Sequence, residues 1–438
     1  MPVTRPATLP GWLRYIETLH ATPIALGLER VSAVAARMSI DVACPTITVA
    51  GTNGKGSTCA MLESMLRHAG YRTALYKSPH LLRFNERVRI GGVEATDEAL
   101  VTAFDAVESA RTSRGAVPLT YFEFSTLAAL HVFAAARIDA IVLEVGLGGR
   151  LDAVNIVDAD VAVVTSIGID HVDYLGSTRE AIGREKAGIF RAGRPAICGD
   201  ADPPASLVAH ADAIGAPLWR IGRDYTFMAS DLQWRYSGPA GARYALPLPA
   251  LRGAHQLGNA ATALAALDAL RDRLPVAANA IRTGLVDVEL PGRFHVLPGR
   301  PVMVLDVAHN PHAARVLADT LGAMSFHPAT LAVFGMLADK DIDGVVAAMR
   351  PRIDQWYVAT LPGPRGAAAA RIVAALQNAG VDASAIHEFD DIEHAFAAAR
   401  AAARDTDRIA AFGSFLTVAA TLLAARAAAN ACSMSSNS

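Results

Sequence analysis

Apolar and polar positions along the chain follow two alternating patterns, which together predict an α/β fold. Short apolar runs rich in Val, Ile and Leu recur, and stretches with helical periodicity separate them nearly throughout. This alternation is typical of a mostly parallel sheet with helices on both faces. In the first two thirds of the chain, strands are predicted at 46–50, 74–76, 140–144 and 161–167, with a helix at 57–69 after the first strand.

A more regular series of strands and helices begins near residue 302 and predicts a second, smaller domain that is doubly wound and Rossmann-like. Strands are predicted at 302–306, 331–334, 356–359 and 409–412, with helices from 311, near 342–349, at 367–379 and near 392–404. Two Pro/Gly clusters in 290–301 make this segment the best linker candidate. The predicted domains are therefore 1–297 and 298–428, followed by a flexible tail at 429–438.

Two stretches depart from this rhythm. Residues 217–252 are rich in Trp, Tyr, Pro and Gly with short alternating runs, which predicts antiparallel hairpins. The longest uncharged stretch lies between Arg408 and Arg426, but it contains Gly413 and Ser414 and is too short for a membrane span. It is predicted to be a buried strand, a turn and a helix, and no association with a membrane is expected.

Composition narrows the function classes. With 40 Lys and Arg against 42 Asp and Glu, the formal charge is −2, so no global basic field is available to attract nucleic acid. Hydrophobic residues make up 52% and charged residues 19%, a composition typical of a compact globular chain. The four cysteines are scattered and the first residues lack an apolar signal-peptide core, so a cytoplasmic, reducing location is expected.

The most informative run for chemistry is GTNGKGS at 51–57, which lies between a predicted strand and a predicted helix. Backbone N–H groups of such a loop, a helix N-terminus and the charge of Lys55 together suit a phosphate. The general pattern GxxxxGK[ST] is not met, because only three residues separate Gly51 from Lys55 and a glycine follows Lys55. The run thus predicts a variant P-loop-type ATP site; an ordinary glycine-rich turn is the alternative.

Seven further motifs occur with this loop in one order. They are YKSPHL at 76–81, YFEF at 121–124, LEVGLGGRLDA at 143–153, SIGIDH at 166–171, GREKAGI at 183–189, LPGRF at 290–294 and LDVAHNPH at 305–312. With the loop, they resemble the Mur ligase superfamily, specifically its folylpolyglutamate synthase and dihydrofolate synthase branch. The resemblance extends over about residues 11–425.

The resemblance implies an ATP-dependent amide ligase that adds L-glutamate through an acyl phosphate. The acceptors would be dihydropteroate and the γ-carboxylate of reduced folates that carry glutamate tails, and the enzyme would be a monomer. Three alternatives stay open. The enzyme could lack the dihydropteroate activity, it could be a Mur-type peptidoglycan ligase, or it could be a catalytically silent nucleotide-binding protein. A peptidoglycan ligase is disfavoured because the phosphate loop starts at Gly51, which leaves no room for a preceding UDP-sugar domain.

Metal ligands and catalytic residues follow from the same motifs. Glu144 ends an apolar strand, where its carboxylate suits Mg²⁺, although a salt-bridged glutamate is the plainer interpretation. The resemblance adds Ser78 and His171 as metal ligands and assigns catalytic roles to Lys55, His171 and Lys186. In related enzymes the residue matching Lys186 is carbamylated, which would supply an oxygen ligand for a second Mg²⁺.

Nucleotide and substrate residues are also carried over from the resemblance. The residues expected to contact ATP are Gly54, Lys55, Gly56, Ser57, Asn259, Arg293 and Asp306, with His309 supporting the last loop. The residues expected to contact the pterin substrate are Leu26, Gly27, Leu28, Phe122, Glu123, Phe124 and Asp152. Asn259 could instead be a helix N-cap, and the two phenylalanines could instead be core residues. Ala25 departs from the family pattern, in which this position is often acidic.

Overall fold

The computed structural model describes residues 5–40 and 42–435, with side chains given up to residue 429. The chain divides into two compact units, which are described separately below. Unit 1 comprises residues 1–250 and 256–288, and unit 2 comprises residues 251–255 and 289–438. The sequence placed the main boundary after residue 297, whereas the structure assigns 289–297 to unit 2. The reason is that residues 295–297 form a strand of the second sheet.

Unit 1 is built on an eight-stranded sheet. Its strands are β1 (Thr46–Ala50), β2 (Thr73–Tyr76), β3 (Val88–Ile90), β4 (Val93–Glu94), β5 (Ala140–Glu144), β6 (Val161–Val164), β7 (Ala196–Cys198) and β8 (Leu218–Arg220). Their order is β4-β3-β2-β5-β1-β6-β7-β8, and all neighbours are parallel except the pairs that involve β3 and β4. The mostly parallel sheet predicted from the sequence is confirmed.

Helices cover this sheet and connect its strands. They are α1 (Leu9–Glu17), α2 (Glu29–Met38), α3 (Lys55–His68), α4 (Asp97–Thr112), α5 (Tyr121–Ala134), α6 (Val172–Leu175), α7 (Arg179–Ala187) and α8 (Ala205–Ile214), with short 3-10 helices at Phe84–Arg87 and Ala153–Ile156. The two central strands, β1 and β5, are buried at every position. This matches the continuous apolar runs expected of strands that are covered on both faces.

The register of the central strands brings several loops to one edge of the sheet. Val49 of β1 is paired with Glu144 of β5, and Ala50 of β1 with Val164 of β6. Tyr76 of β2 is paired with Leu143 of β5. Because these strands are parallel, the residues that follow each of them meet at the carboxyl edge, where α/β proteins bind ligands.

A second, three-stranded antiparallel sheet completes unit 1. It is formed by β9 (Thr226–Ala229), β10 (Gln233–Gly238) and β11 (Gly241–Pro247), in the order β11-β10-β9, and is followed by the helices α9 (His255–Ala269) and α10 (Ala278–Val286). The predicted antiparallel hairpins are confirmed for residues 226–247. Residues 218–220 instead extend the large sheet as β8, parallel to β7.

Unit 2 contains a six-stranded sheet. Its elements are β12 (His295–Leu297), β13 (Val302–Asp306), α11 (Pro311–Gly322), β14 (Thr330–Phe334), α12 (Ile342–Met349), β15 (Gln355–Ala359), α13 (Ala369–Asn378), β16 (Ile386–Phe389), α14 (Ile392–Ala402), β17 (Arg408–Phe412) and α15 (Phe415–Ser435), with short 3-10 helices at Arg350–Arg352 and Ala383–Ala385. The order is β12-β13-β17-β14-β15-β16, and only β12 is antiparallel to its neighbour. The predicted strands and helices of this unit are confirmed, whereas β12 and β16 were not predicted.

The uncharged stretch near the end of the chain folds as expected, into β17, a turn and the start of α15. No helix in the described part of the chain combines the length and the apolar character needed to cross a bilayer. The tail predicted from residue 429 begins inside α15, which runs to Ser435, and residues 436–438 lie outside the described part.

Candidate active site

The glycine-rich loop after β1 depends on residues without a side chain. Gly51 has φ +150° and Gly54 has φ +87°, a backbone region that L-residues rarely adopt. A Cβ at Gly51 would overlap the hydroxyl of Thr165, and a Cβ at Gly54 would lie 2.5 Å from Oδ1 of Asn259. Both glycines therefore permit a close approach as well as a turn.

The residues that follow β6 anchor this loop. The backbone N–H of Thr52 donates to the carbonyl of Ser166 at 2.7 Å, and the N–H of Asn53 donates to the Ser166 hydroxyl at 3.1 Å. The carbonyl of Asn53 accepts from the hydroxyls of Thr165 (2.6 Å) and Ser166 (3.0 Å). The N–H groups of Thr52 and Asn53, which were expected to face a phosphate, therefore hold the loop in place instead. This contact also ends β6 at Val164, three residues before the predicted end of that strand.

The phosphate-binding potential is concentrated at the start of α3. The helix begins at Lys55, so the N–H groups of Lys55, Gly56 and Ser57 have no acceptor within the helix. The N–H groups at a helix start and the helix dipole favour an anion at this point. Nζ of Lys55 donates to the carbonyls of Gly51 (2.8 Å) and Thr52 (3.3 Å), which holds the ammonium group over the loop.

Asn259 lies against this loop. It is in the second turn of α9, which begins at His255, so the N-cap interpretation is wrong. Its Nδ2 donates to Oε1 of Gln256 at 2.9 Å, which leaves Oδ1 beside Gly54. The structure therefore brings together the loop and a residue some 200 positions away in sequence, as expected for a shared ligand.

Glu144 and Ser78 lie side by side at the ends of β5 and β2. The backbone N–H of Ser78 donates to Oε2 of the buried Glu144 at 3.2 Å. The loop after Ser78 is held in turn by Glu86, whose carboxylate accepts from the backbone N–H groups of Leu81, Leu82 and Arg83 at 2.6 to 2.8 Å. The backbone of Ser78 is thus held against a buried carboxylate.

His171 is the N-cap residue of α6, has φ +52° and follows the segment that anchors the phosphate loop. In the described residues, no group of three or more His, Cys, Asp or Glu side chains is arranged to hold a metal ion. The predicted set of metal ligands contains only two residues of those types, Glu144 and His171, since its third member is the hydroxyl of Ser78. A buried carboxylate beside a hydroxyl nevertheless fits a hard divalent cation.

Lys186 is in the last turn of α7 and is 3% exposed. Burial, followed by the positive charge of Lys55, lowers the pKa of Lys186 to about 7, while the carboxylates of Asp170 and Asp152 oppose this shift. The amine is therefore substantially neutral near pH 7 and is nucleophilic in that form.

Two glycines let the end of α7 approach the loop after β5. A Cβ at Gly149 would lie 2.8 Å from the carbonyl oxygen of Glu185, and a Cβ at Gly188 would lie 2.6 Å from Cα of Arg150. The backbone N–H of Arg150 donates to the Glu185 carbonyl at 2.8 Å, and the two side chains form an ion pair. The motifs at 143–153 and 183–189 thus form one packed unit that positions Lys186.

The predicted pterin residues come from three segments, and the structure assembles them. The N–H of Gly27 donates to the carbonyl of Leu151 at 3.3 Å, next to Asp152. Arg30 donates to the carbonyl of Ala25 at 2.6 Å and pairs with Glu123 at 2.9 Å. Leu26 and Leu28, on either side of Gly27, are half-buried.

Two of these residues also have structural roles. Glu123 is buried, and it forms a capping box with Thr120 at the start of α5 as well as the pair with Arg30. Phe124 is fully buried and packs against Trp12 and Phe104, as the core interpretation predicts.

Phe122 and Asp152 complete the predicted pterin set. Phe122 is half-buried, lies against the backbone of Gly146 and is 5.9 Å from the ring of Tyr76. Asp152 accepts from the N–H groups of Leu147 (2.8 Å) and Val154 (3.0 Å). Its burial raises the pKa of this carboxyl to about 6 despite these hydrogen bonds.

In unit 2, Asp306 ends β13 and fixes the turn that carries Arg293. Its carboxylate accepts from the N–H groups of Phe294 (2.7 Å) and Ala308 (2.8 Å). Burial raises the pKa of Asp306, and the charge of Arg293 opposes this effect. The Arg293 guanidinium lies 5.2 Å from the centre of the Phe415 ring, and Nδ1 of His309 is 2.8 Å from the Val307 carbonyl.

The sequence did not single out Thr165 and Ser166 as site residues. Ser166 was in a recognised motif, but neither hydroxyl could be connected to Asn53, which is more than 110 residues away. The role of Glu123 did have a local signal. Thr120 followed three residues later by Glu123 is the capping-box pattern.

Family profiles match most of the chain. The Mur ligase middle domain matches residues 49–267, and the Mur ligase glutamate ligase domain matches residues 292–415. The dihydrofolate synthase/folylpolyglutamate synthase of Escherichia coli K12 is 49% identical over 412 residues, which is 94% of each chain.

Solved structures agree over nearly the full length. E. coli FolC in complex with DHPP and ADP superposes with a TM-score of 0.91 at 47% identity, and 97% of this chain and 99% of that chain are covered. A bifunctional folylpolyglutamate synthase/dihydrofolate synthase with Mn, AMPPNP and L-glutamate bound has a TM-score of 0.88 at 45% identity, with 97% and 100% covered.

Proposed function

Because the chain belongs to the Mur ligase superfamily, in the family of dihydrofolate and folylpolyglutamate synthases, we propose that it is an ATP-dependent carboxylate–amine ligase. It adds L-glutamate to dihydropteroate, forming dihydrofolate, and to the γ-carboxylate of folate glutamate tails. The observation that carries the proposal is the loop at 51–57, whose glycines, Lys55 and helix start form an anion site at the carboxyl edge of the sheet.

The proposed reaction has two steps. An oxygen of the acceptor carboxylate attacks the γ-phosphorus of ATP, the bond to the bridging oxygen breaks, and ADP leaves with that electron pair. The amine of glutamate, after losing a proton, then attacks the acyl carbon and expels phosphate. Lys55 and the N–H groups of Gly56 and Ser57 are assigned to stabilise the negative charge of the γ-phosphoryl group during its transfer. The contribution of this loop is therefore positioning and electrostatic stabilisation.

Ser78, Glu144 and His171 are the residues proposed to hold Mg²⁺, which when bound supplies neutralisation of phosphate charge. Support comes from the contact between the Ser78 backbone and the buried Glu144 carboxylate, an oxygen donor of the kind that Mg²⁺ prefers. His171 is the softer ligand of the set and rests on the family resemblance.

Lys186 is proposed to be carbamylated. Its neutral amine would attack CO₂ and lose a proton, which replaces a cation with an anionic group whose oxygens suit a second Mg²⁺. The pKa lowered to about 7 supports this proposal, because only the unprotonated amine reacts. The positive charge of Lys55 that lowers the pKa of Lys186 would also stabilise the carbamate.

Further assignments also stay proposals. Asn259 is assigned to the nucleotide because it lies against Gly54. Arg293 and Asp306 are assigned to ATP on resemblance, with Asp306 holding the turn that presents Arg293. Phe122, Asp152 and the backbone of 26–28 are assigned to the pterin. A monomer in the cytoplasm is the expected state of the enzyme.

The competing proposal is a folylpolyglutamate synthase without the dihydropteroate activity. Ala25 favours it, because an alanine side chain cannot make a polar contact with the pterin and its carbonyl already accepts from Arg30. The two proposals differ only in the acceptor that is used.

The deciding experiment supplies ATP, Mg²⁺ and L-glutamate with either dihydropteroate or a reduced folate. We expect ADP, phosphate and a glutamylated product from both acceptors. A product from the folate alone would leave only the monofunctional enzyme, and a product from neither would refute the ligase. Lys55→Ala should abolish turnover, whereas Arg235→Ala, which removes an exposed cation on β10, should leave it unchanged.

A further inference from the structure

The segment 165–168, which anchors the phosphate loop, has lost its own partners in the sheet. β6 ends at Val164, so the backbone groups of the residues that follow must find partners elsewhere. Ile167, in the middle of this segment, is buried. Its two backbone groups are bound by side chains that the proposed mechanism does not use.

One ion pair binds both backbone groups of Ile167. The N–H of Ile167 donates to Oδ2 of Asp200 at 2.7 Å, and its carbonyl accepts from Nε of Arg179 at 3.0 Å. Nη2 of Arg179 is 3.2 Å from each carboxylate oxygen of Asp200. We call this closed arrangement of Arg179, Asp200 and the backbone of Ile167 the clamp. The Asp200 side chain is 12% exposed, so its charge is largely shielded from water.

The residues on either side of Ile167 hold the phosphate loop. Ser166 binds the backbone N–H groups of Thr52 and Asn53, as described above. Gly168 exchanges two hydrogen bonds with the Thr52 hydroxyl, donating through its N–H at 3.0 Å and accepting through its carbonyl at 3.1 Å. Because Ile167 lies between these two contacts, holding its backbone in place also holds the start of the phosphate loop.

The clamp also connects this segment to Lys186. Arg179 is the first residue of α7, and Lys186 is in the last turn of the same helix. A helix rises about 1.5 Å per residue, so the two residues are about 10 Å apart along the axis. A single short helix therefore joins the residue that grips 167 to the lysine that is proposed to be carbamylated.

We propose that Arg179 is a positioning residue: paired with Asp200, it holds the segment 166–168 and so sets the phosphate loop relative to Lys186. The inference rests on the proposed binding of ATP phosphates at 54–57. Arg179 acts through the backbone of Ile167 and needs no contact with the nucleotide. Arginine suits this role because its planar guanidinium carries several N–H donors in a fixed geometry, and can bind a carboxylate and a carbonyl together.

The first test is hydrogen exchange without nucleotide, followed by mass spectrometry. In Arg179→Ala, peptides that cover 51–54 and 166–168 should exchange about 10-fold faster or more, because the local opening of these segments is no longer opposed by the clamp. Peptides from the central strand β5 should exchange as in the wild type. A general loss of stability would instead raise the exchange of β5 as well.

The second test is calorimetric titration of ATP. Arg179→Ala and Asp200→Ala should each weaken ATP binding about 10- to 100-fold, and the double variant should be no weaker than the weaker single variant, because both residues act through one clamp. Asp202→Asn is the matched control. Its carboxylate is 3.1 Å from Nη1 of the same arginine but is 93% exposed. Since exposed ion pairs contribute little, this variant should bind ATP like the wild type.

The inference is overturned if Arg179→Ala binds ATP as tightly as the wild type, if β5 exchanges faster to the same extent as 51–54, or if Asp202→Asn weakens ATP binding as much as Arg179→Ala does. Lys55→Ala separates this failure from that of the proposed function. If Lys55→Ala binds ATP normally, the phosphate site itself is wrong. If Lys55→Ala weakens ATP binding and Arg179→Ala does not, only the clamp is wrong.

Discussion

The anchoring of the phosphate loop yields a prediction that can be worked out in detail. The carbonyl of Asn53 accepts from two hydroxyls, those of Thr165 at 2.6 Å and Ser166 at 3.0 Å. Thr165→Val removes the first donor with little change of shape, and Ser166→Ala removes the second. Because both donors serve one oxygen, the effects of the two substitutions should be coupled.

The magnitude follows from the number of donors that remain. After Thr165→Val the carbonyl keeps the Ser166 hydroxyl, so the loss should be that of one hydrogen bond, about 1 kcal/mol, or about fivefold in the Kd of ATP. Ser166→Ala should cost more, because the Ser166 hydroxyl also accepts from the Asn53 N–H. In the double variant the carbonyl loses both donors, which adds a desolvation penalty of about 1–3 kcal/mol. The double variant should therefore weaken ATP binding by more than the product of the two single effects.

Calorimetric titration of ATP into the four proteins measures this coupling, and thermal melting without nucleotide checks that each variant is folded. A coupling energy of at least about 0.5 kcal/mol is expected for neighbouring groups that share a partner. The idea that these hydroxyls hold the loop would be refuted by either of two results. One is that the single variants bind ATP like the wild type, and the other is that the fold-change in Kd of the double variant equals the product of the two single fold-changes.

Three further outcomes are expected. Gly284→Ala should lower the free energy of unfolding by about 1–3 kcal/mol in urea titrations, since a Cβ would lie 2.6 Å from Cα of Met65; an unchanged midpoint would contradict this tight helix contact. Burial and the charge of Arg87 lower the pKa of His80 from 6.5 to about 4, so its contribution to stability is complete above pH 6.5 and is lost as the pH falls to about 4. The free energy of unfolding of the wild type, measured by thermal melting, should thus fall by up to about 3 kcal/mol over that range, and that of His80→Gln should fall by less. Equal decreases would argue against assigning the effect to His80. With ¹³C-bicarbonate, NMR should detect a carbamate in the wild type and none in Lys186→Arg.

The fold was largely predictable because its strands are continuous apolar runs. β1 and β5 match the predicted residues 46–50 and 140–144. The end of β6 was predicted three residues too late, at 167, since the β-branched residues Thr165 and Ile167 are also common in strands. Apolar periodicity carries no information about hydroxyls that leave the sheet to bind a loop more than 110 residues away.

The site was predictable where a motif is local and less so where side chains from distant segments meet. The loop at 51–57 and the strand-end Glu144 could be identified from their own neighbours. Phe124 could not be assigned, because α5 is apolar on most of its surface and a core ring has the same sequence pattern as a stacking ring. The pairing of Arg30 with Glu123 joins segments 93 residues apart, and neither segment indicates the other.

The near-neutral charge of the chain has a local counterpart at the site. With a net charge of −2, no general positive field can hold ATP, so the cations must be concentrated where the phosphates bind. Yet Lys55 and the buried Lys186 lie close enough that the charge of Lys55 lowers the pKa of Lys186. Two ammonium groups at this distance disfavour each other, and the pKa of Lys186 is lowered because burial adds to this effect. Carbamylation would replace the ammonium group of Lys186 with an anion, which the charge of Lys55 would attract. The modification of Lys186 and the phosphate site at Lys55 would therefore depend on each other electrostatically.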